Sequence, residues 1–197
     1  EQWGAFAYDF GFGEATGIDL QYESTGLVPD KKYLDDKYTS RGWSKGNLLS
    51  FVIGQGNVLA TPLQVLRMVN LIASGGIAGK LHLNTETTVG FDTLYVKRKT
   101  INFLKKAMFA VVNDEKGTGE NARPDGIGKV YGKTGTAENP QGDPHSWFTG
   151  FISLKNGRKM SLAIIIENGG KGSVVAAPIA KQLFEIFAEE VYVQTSI

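Results

Sequence analysis

At 197 residues, 42% hydrophobic and 21% charged, the chain has the size and apolar content of one compact domain or most of a larger one, enough to bury a core. Its 21 Lys and Arg balance 20 Asp and Glu to a net charge of +1, and no stretch concentrates basic residues with interleaved aromatics, which speaks against a nucleic-acid partner. Cysteine is absent, so disulfides, thiolate metal sites and a cysteine nucleophile are excluded, while the compartment stays open.

Trp3, Phe6, Ala7 and Phe10 have helical spacing but no capping residue ahead of them, so the element is expected to be already under way at residue 1 and the chain to be truncated there. Glu1-Gln2-Trp3 carries no signal-peptide pattern, which puts any anchor or export signal outside these residues. Gly11, Gly13 and Gly17 punctuate a turn into a short extended piece, Ile18-Asp19-Leu20, and Thr25-Gly26-Leu27-Val28-Pro29-Asp30 gives a second turn. Residues 31–47 are polar and aromatic and read as a surface segment with a solvated charged face.

In 48–60 an apolar run is broken by Gly54 and Gly56, which suggests left-handed dihedrals or close backbone approach; Gln55 and Gly56 read as fold braces. Thr61, Pro62 and Gln64 then form the clearest helix start, an N-cap, a first-turn proline and a capping-box partner. Leu63, Leu66, Val69, Asn70 and Ala73 follow on one face until Ser74-Gly75-Gly76. Residues 80–98, with Leu83, Val89, Leu94 and Val96, alternate loosely and suggest one or two short strands; His82 reads as a surface residue. Thr100 is placed as the cap of a helix to Val112 that buries Leu104, Met108 and Val111 or Val112. Gly117-Thr118-Gly119 ends that region and opens a loop.

Residues 128–131 read as a strand leading into Gly132-Lys133-Thr134-Gly135-Thr136, a cation and two hydroxyls set between glycines. Gly-Lys-Thr also ends a phosphate-binding loop, but that motif needs a glycine five positions before Gly132, where Ile127 stands, and a helix afterwards. The turn-rich run Ala137-Glu138-Asn139-Pro140-Gln141-Gly142-Asp143-Pro144 follows instead. Residues 146–152 and 160–166 are then joined through Lys155-Asn156-Gly157-Arg158, a hairpin signal, and should pair antiparallel. The second carries Leu162-Ala163-Ile164-Ile165-Ile166, expected to be covered on both faces by helices and far short of the about 20 residues that span a bilayer. Ser173 is placed as the cap of a closing helix with Val175, Pro178, Ile179, Leu183, Ile186, Phe187 and Glu190. Two histidines far apart, with no ligand spacing, argue against a metal.

Lys133-Thr134-Gly135-Thr136 on a strand, followed by Trp147-Phe148-Thr149-Gly150-Phe151, resembles the third signature of the penicillin-binding, active-site-serine acyltransferases. Further stretches resemble one branch, the class B, penicillin-binding protein 2 type transpeptidases. They are Gly11-Phe12-Gly13 with Thr16-Gly17-Ile18-Asp19-Leu20, Gly26-Leu27-Val28-Pro29, Ile53-Gly54-Gln55-Gly56 with Thr61-Pro62-Leu63-Gln64, His145-Ser146-Trp147-Phe148, and Ala176-Ala177-Pro178-Ile179-Ala180. The resemblance covers nearly the whole chain. It implies an α/β three-layer sandwich, an antiparallel sheet between helical layers, incomplete in this chain.

The family's Ser-x-x-Lys and Ser-x-Asn signatures have no match: Ser44 and Ser153 have asparagine only at the third following position, and no serine has lysine there. Residues 1–197 are therefore expected to be the C-terminal portion of one transpeptidase domain, inactive alone, with the nucleophile upstream. The resemblance implies a substrate ending in D-Ala-D-Ala on peptidoglycan stem peptides, an acyl-enzyme intermediate, inhibition by β-lactams and no cofactor. It assigns Lys133, Thr134 and Thr136 to the terminal carboxylate, Gly135 to close approach of the substrate, and the Thr136 backbone N–H to the oxyanion. His145 and Trp147 are candidates for the site mouth and groove, with a locally bonded loop histidine and a core aromatic as the plainer readings. Implied partners are the upstream half, stem peptides and membrane proteins of the cell-elongation machinery. The intact protein would be anchored in the inner membrane with this domain on its periplasmic side. The alternatives are a β-lactamase or D,D-carboxypeptidase of the same fold, and a non-catalytic penicillin sensor or scaffold.

Overall fold

The computed structural model describes residues 2–40, 42–86 and 90–194; Val89 of the expected strands lies outside the described residues. The chain divides into two compact units, residues 1–68 with 77–95, and residues 69–76 with 96–197.

The first unit holds α1 (Gln2–Asp9), α2 (Lys31–Lys37), α3 (Lys45–Val52), the start of α4 (Pro62–Ser74), β1 (Ile77–Gly79) and β2 (Phe91–Thr93). α1 runs over Trp3, Phe6 and Ala7 and ends before Phe10, which lies in the following turn; Trp3 meets Phe51 with ring centroids 5.8 Å apart. Segment 31–47 is more ordered than its polarity suggested. Asp30 caps α2 by accepting from the Tyr33 N–H at 2.7 Å, and Ser44 with Asn47 forms a capping box at the start of α3. Local caps of this kind let short, polar segments close a helical turn. Gly54 and Gly56 take φ of +74° and +75°. The expected extended piece at Ile18-Asp19-Leu20 is irregular chain. Of the one or two strands expected within 80–98, β2 falls there, and its antiparallel partner β1 lies just ahead of that stretch; Leu94 is buried and Leu83 exposed.

Gln64 holds this unit together. Its side chain is fully buried; Oε1 accepts from the Thr61 N–H at 2.9 Å, while the Gln64 N–H donates to Thr61 Oγ1 at 3.2 Å, which completes the expected capping box. The two Nε2 hydrogens donate to the carbonyls of Glu14 and Thr25, each at 2.8 Å. One amide thus satisfies a helix end and two loops. Beside it, Leu27 and Leu59 bridge antiparallel, and a β-carbon on Gly26 (φ +62°) would lie 2.3 Å from the Leu59 oxygen. Arg67 clasps Asp92 through two bonds of 3.0 Å, linking α4 to β2. The Asp19 carboxylate accepts from the N–H groups of Leu83 at 2.6 Å and Asn84 at 2.8 Å. These backbone bonds hold its pKa below the ordinary carboxylate value.

The second unit contains the end of α4, α5 (Arg98–Asn113), a 3₁₀ turn at Glu120–Ala122, β3 (Gly128–Ala137), β4 (His145–Leu154), β5 (Lys159–Ile166) and α6 (Ala176–Gln194). The strands form one antiparallel sheet in the order β3-β4-β5. Leu154 accepts from the Gly157 N–H and donates to the Arg158 carbonyl; with Gly157 at φ +85° this is a three-residue loop, a type I turn followed by a left-handed glycine.

Side-chain alternation divides the sheet between two helical layers. Val130, Phe148, Ile152, Leu154 and Leu162 pack with Ala176, Ala177, Ala180, Phe184, Ala188 and Val191 of α6. On the other face Tyr131 lies between Phe109 of α5, at 5.4 Å, and Phe151, stacked at 4.5 Å. This is the expected sandwich, helices on both sides of an antiparallel sheet.

Several local expectations are corrected. α5 begins at Arg98, with Lys97 at the cap and no side-chain bond there; Thr100 falls inside the first turn, and Ile101 and Val112 rather than Leu104 and Met108 are buried. α6 buries an alanine face, leaving Leu183 and Ile186 40% and 52% exposed, because small side chains let the helix lie close on the sheet. Its cap is not Ser173: the Ala176 N–H donates to Ser146 Oγ of β4 at 3.1 Å. In β5 only Leu162 is buried and the isoleucines are half-buried, because β5 stands at the sheet's edge among the described residues rather than in its middle. In α4 the buried positions are Gln64, Val69, Leu71, Ile72 and Ala73, with Leu63 and Leu66 half-buried. Lys105 and Lys159 both donate to the Ala73 carbonyl at 3.1 Å, placing two cations at the negative end of that helix. Burial, with Lys159 nearby, lowers the pKa of Lys105.

Two outcomes follow. Gln64→Leu leaves a buried N–H and two carbonyls unmatched and should cost about 2–4 kcal/mol, read as a lower urea midpoint at unchanged m-value. Since the folded pKa of Asp19 is depressed, its contribution is present above the unfolded pKa and is lost as pH falls through the folded one. The stability gap between wild type and Asp19→Asn should therefore be constant from pH 7 to 5 and narrow as pH drops below the ordinary value of 3.8; a gap that persists at pH 2 would contradict the assignment.

Candidate functional site

Strand β3 has one neighbour among the described residues, β4, and so forms an edge of its sheet. The direction of its main-chain groups is marked by Val130, whose carbonyl accepts from Asn113 Nδ2 at 2.9 Å outside the sheet. The β3–β4 register runs without a bulge from Gly128↔Leu154 to Ala137↔His145. Alternation in such a ladder turns the N–H and C=O of Gly132, Thr134 and Thr136 the same way as those of Val130. Glycine at 132 is required by packing: a β-carbon there would lie 2.4 Å from the Phe148 ring.

The side chains alternate as well. Lys133 is exposed on the face shared with its cross-strand partner Thr149 and with Trp147, the partner of Gly135. Its ammonium folds back to donate to the Thr134 carbonyl. Thr134 lies on the opposite face, 7% exposed, with its Oγ1 2.7 Å from Thr118 Oγ1. Thr136 is exposed, and its Oγ1 accepts from the Gly172 N–H at 3.5 Å. A cation and hydroxyls are thus presented on both sides of a strand whose main-chain groups face outward between them. That combination suits a carboxylate, since charge-assisted hydrogen bonds are about twice as strong as neutral ones.

The flanking loops are laced together beside this wall. His145 Nδ1 accepts from the Asn168 N–H at 3.0 Å, which fixes the ring as the tautomer protonated at Nε2. Asn139 donates to Asn168 Oδ1 at 2.8 Å, the Gly170 N–H donates to the Pro144 carbonyl at 2.8 Å, and Asn168 itself takes φ of +54°. His145 is thus hydrogen-bonded locally at the start of β4. Trp147 is half-buried, directly across from Gly135.

Lys133, Thr134, Gly135, Thr136, Trp147 and His145 are brought to one end of one strand pair. Three contributors went unread in the sequence. Thr118 counted only as a loop residue between two glycines. Ser146 was a strand position, and its service as the α6 cap depends on β4 passing under the helix. Gly172 is buried, and a β-carbon on it would sit 2.3 Å from the carbonyl oxygens of both Gly135 and Trp147. Only the Gly169-Gly170-Lys171-Gly172 run hinted at such closeness. Gly172→Ala should push the loop off the strand pair, costing about 1–3 kcal/mol, read as a lower Tm; an unchanged Tm would show the contact to be loose.

Comparison with known proteins bears on this site. A family model described as the penicillin binding protein transpeptidase domain matches residues 1–185. The chain is 31% identical over 208 residues to the peptidoglycan D,D-transpeptidase MrdA of Haemophilus influenzae, covering 92% of this chain and 32% of that protein. It is 32% identical to the MrdA protein of Acinetobacter baumannii, covering 94% and 30%. Among solved structures it is similar to penicillin-binding protein PBP2 of Helicobacter pylori in complex with MreC, with a TM-score of 0.78, 30% identity and coverage of 93% of this chain and 35% of that one. It is also similar to PBP2 of Pseudomonas aeruginosa in complex with WCK 5153, with a TM-score of 0.77, 29% identity and coverage of 93% and 41%. The chain spans about a third of the length of the curated relatives it matches.

Proposed function

Because the chain belongs to the penicillin-binding protein transpeptidase family, we propose that it forms the substrate-gripping wall of a serine D,D-transpeptidase that cross-links peptidoglycan. The observation that carries this reading is the Lys133–Thr136 run on an edge strand, with main-chain groups directed away from the sheet and an ammonium and hydroxyls to either side. In this role Lys133, Thr134 and Thr136 hold the terminal carboxylate of a D-Ala-D-Ala stem peptide. Gly135 lets the substrate backbone lie close against the strand.

A serine from another part of the same domain attacks the penultimate carbonyl. The C–N bond to the last residue breaks, D-alanine leaves with a proton on its amine, and an ester to the serine remains. A neighbouring stem's amine then displaces the serine and forms the new peptide bond. The Thr136 N–H stabilises the oxyanion at both tetrahedral stages. Loss of one such donor typically costs on the order of a hundredfold or more.

Residues 1–197 are read as the C-terminal portion of that domain. Neither Ser-x-x-Lys nor Ser-x-Asn occurs in the chain, so the attacking serine and its helper are assigned to the portion upstream. None of the described helices is long and apolar enough to cross a membrane. By kinship with MrdA proteins the whole protein is assigned to the outer side of the cytoplasmic membrane. A relative's structure with MreC supports a partner in the cell-elongation machinery, and one with aztreonam supports β-lactams as inhibitors.

Labelling with a fluorescent penicillin tests the reading. The full-length protein should be labelled covalently and residues 1–197 alone should not; label on the isolated chain would refute the division of the site. Lys133→Ala in the full-length protein should slow acylation by orders of magnitude, and near-normal labelling would remove its assigned role.

A further inference from the structure

We propose that Thr118 is a positioning residue for the wall, acting through Thr134; the inference rests on the reading of that wall as a carboxylate grip. Thr118 stands just beyond α5, and its hydroxyl reaches Thr134 Oγ1 at 2.7 Å across a sequence separation of 16 residues. Its place is not left to loop wandering. A β-carbon on Gly117 would lie 2.3 Å from the Val111 oxygen and 2.8 Å from the Ala110 oxygen. The Gly119 N–H donates to the Val111 carbonyl at 2.8 Å, and the Gly117 N–H to Asp114 at 2.8 Å. The glycines on either side thus let the backbone ride directly on the last turn of α5. That same turn is tied to β3, since Asn113 donates both to Phe109 within the helix and to Val130 on the strand. The helix end therefore sets the distance between the Thr118 hydroxyl and the wall.

The chemistry follows from proton count. Each hydroxyl has one proton and two lone pairs, so the Thr118–Thr134 bond can run in either direction. If Thr134 donates to Thr118, it offers only lone pairs to a ligand, which repel an anion. If Thr118 donates, the Thr134 proton is released toward a ligand oxygen. A carboxylate at the wall selects the second direction, and each bond in the chain Thr118 to Thr134 to carboxylate polarises the next. Thr118 so converts a mostly buried threonine into an oriented donor.

The test compares Thr118→Val and Thr118→Ser with the unsubstituted full-length protein, measuring acylation rates with benzylpenicillin and with its methyl ester, which lacks the anionic carboxylate. Thr118→Val should slow acylation by benzylpenicillin about tenfold, the size of one hydroxyl hydrogen bond, and change the rate with the ester much less. Thr118→Ser, which keeps the hydroxyl, should restore most of the rate at an unchanged Tm. Equal losses with both compounds, a rate for Thr118→Val equal to wild type, or a loss in Thr118→Ser as large as in Thr118→Val would overturn the inference. If the folded, unsubstituted protein is not acylated at all, the transpeptidase reading itself falls, and this inference with it.

Discussion

Register in the β3–β4 ladder is the constraint on which the site depends. Side chains of a strand alternate with a period of two, so a slip of one residue would exchange the faces of every group on β3. With Lys133 opposite Thr149 and Gly135 opposite Trp147, the ammonium goes to the α5 side and the Thr134 hydroxyl to the α6 side. The main-chain groups between them turn away from β4. A slipped strand would bury Lys133 against Phe148 and the alanine face of α6, where an unpaired charge is prohibitively costly.

Close approach holds that register in place. Gly132 admits the Phe148 ring, and a β-carbon on Gly150 would lie 2.2 Å from the Tyr131 oxygen. Gly172 admits the following loop onto the carbonyls of Gly135 and Trp147. Three contacts of this kind, all on the strand pair that carries the wall, leave little freedom for β3 to shift. The position of the wall is thus set by backbone packing.

The polar groups that packing buries are matched across long stretches of chain. Gln64 links the start of α4 to two loops, Ser146 caps α6 from a strand, and two lysines meet the Ala73 carbonyl near the end of α4. Asn113 joins α5 to β3, and Thr118 joins the loop after α5 to Thr134. In every case the partner is distant in sequence.

Local chemistry was legible in the residues themselves. The Thr61–Gln64 capping box, the Asn156-Gly157 hairpin, the strand over Lys133 to Thr136 and the closing helix all depend on neighbours within a few positions, whose preferences act before any fold exists. The motif residues were legible for the same reason, since they lie together on one strand. Burial was not legible. The isoleucines of β5 read as a covered strand, yet strand order decides which strand is central, and Leu183 and Ile186 read as core although the alanines beside them set how near α6 can lie. Nor could Ser146 and Thr118 be read, because a hydroxyl serves as cap or positioner only when another element arrives within hydrogen-bond reach. The chain by itself determined which side chains stand on the wall; tertiary packing decided which way each one faces and what holds it there, because burial and long-range hydrogen bonds are properties of what comes together in space.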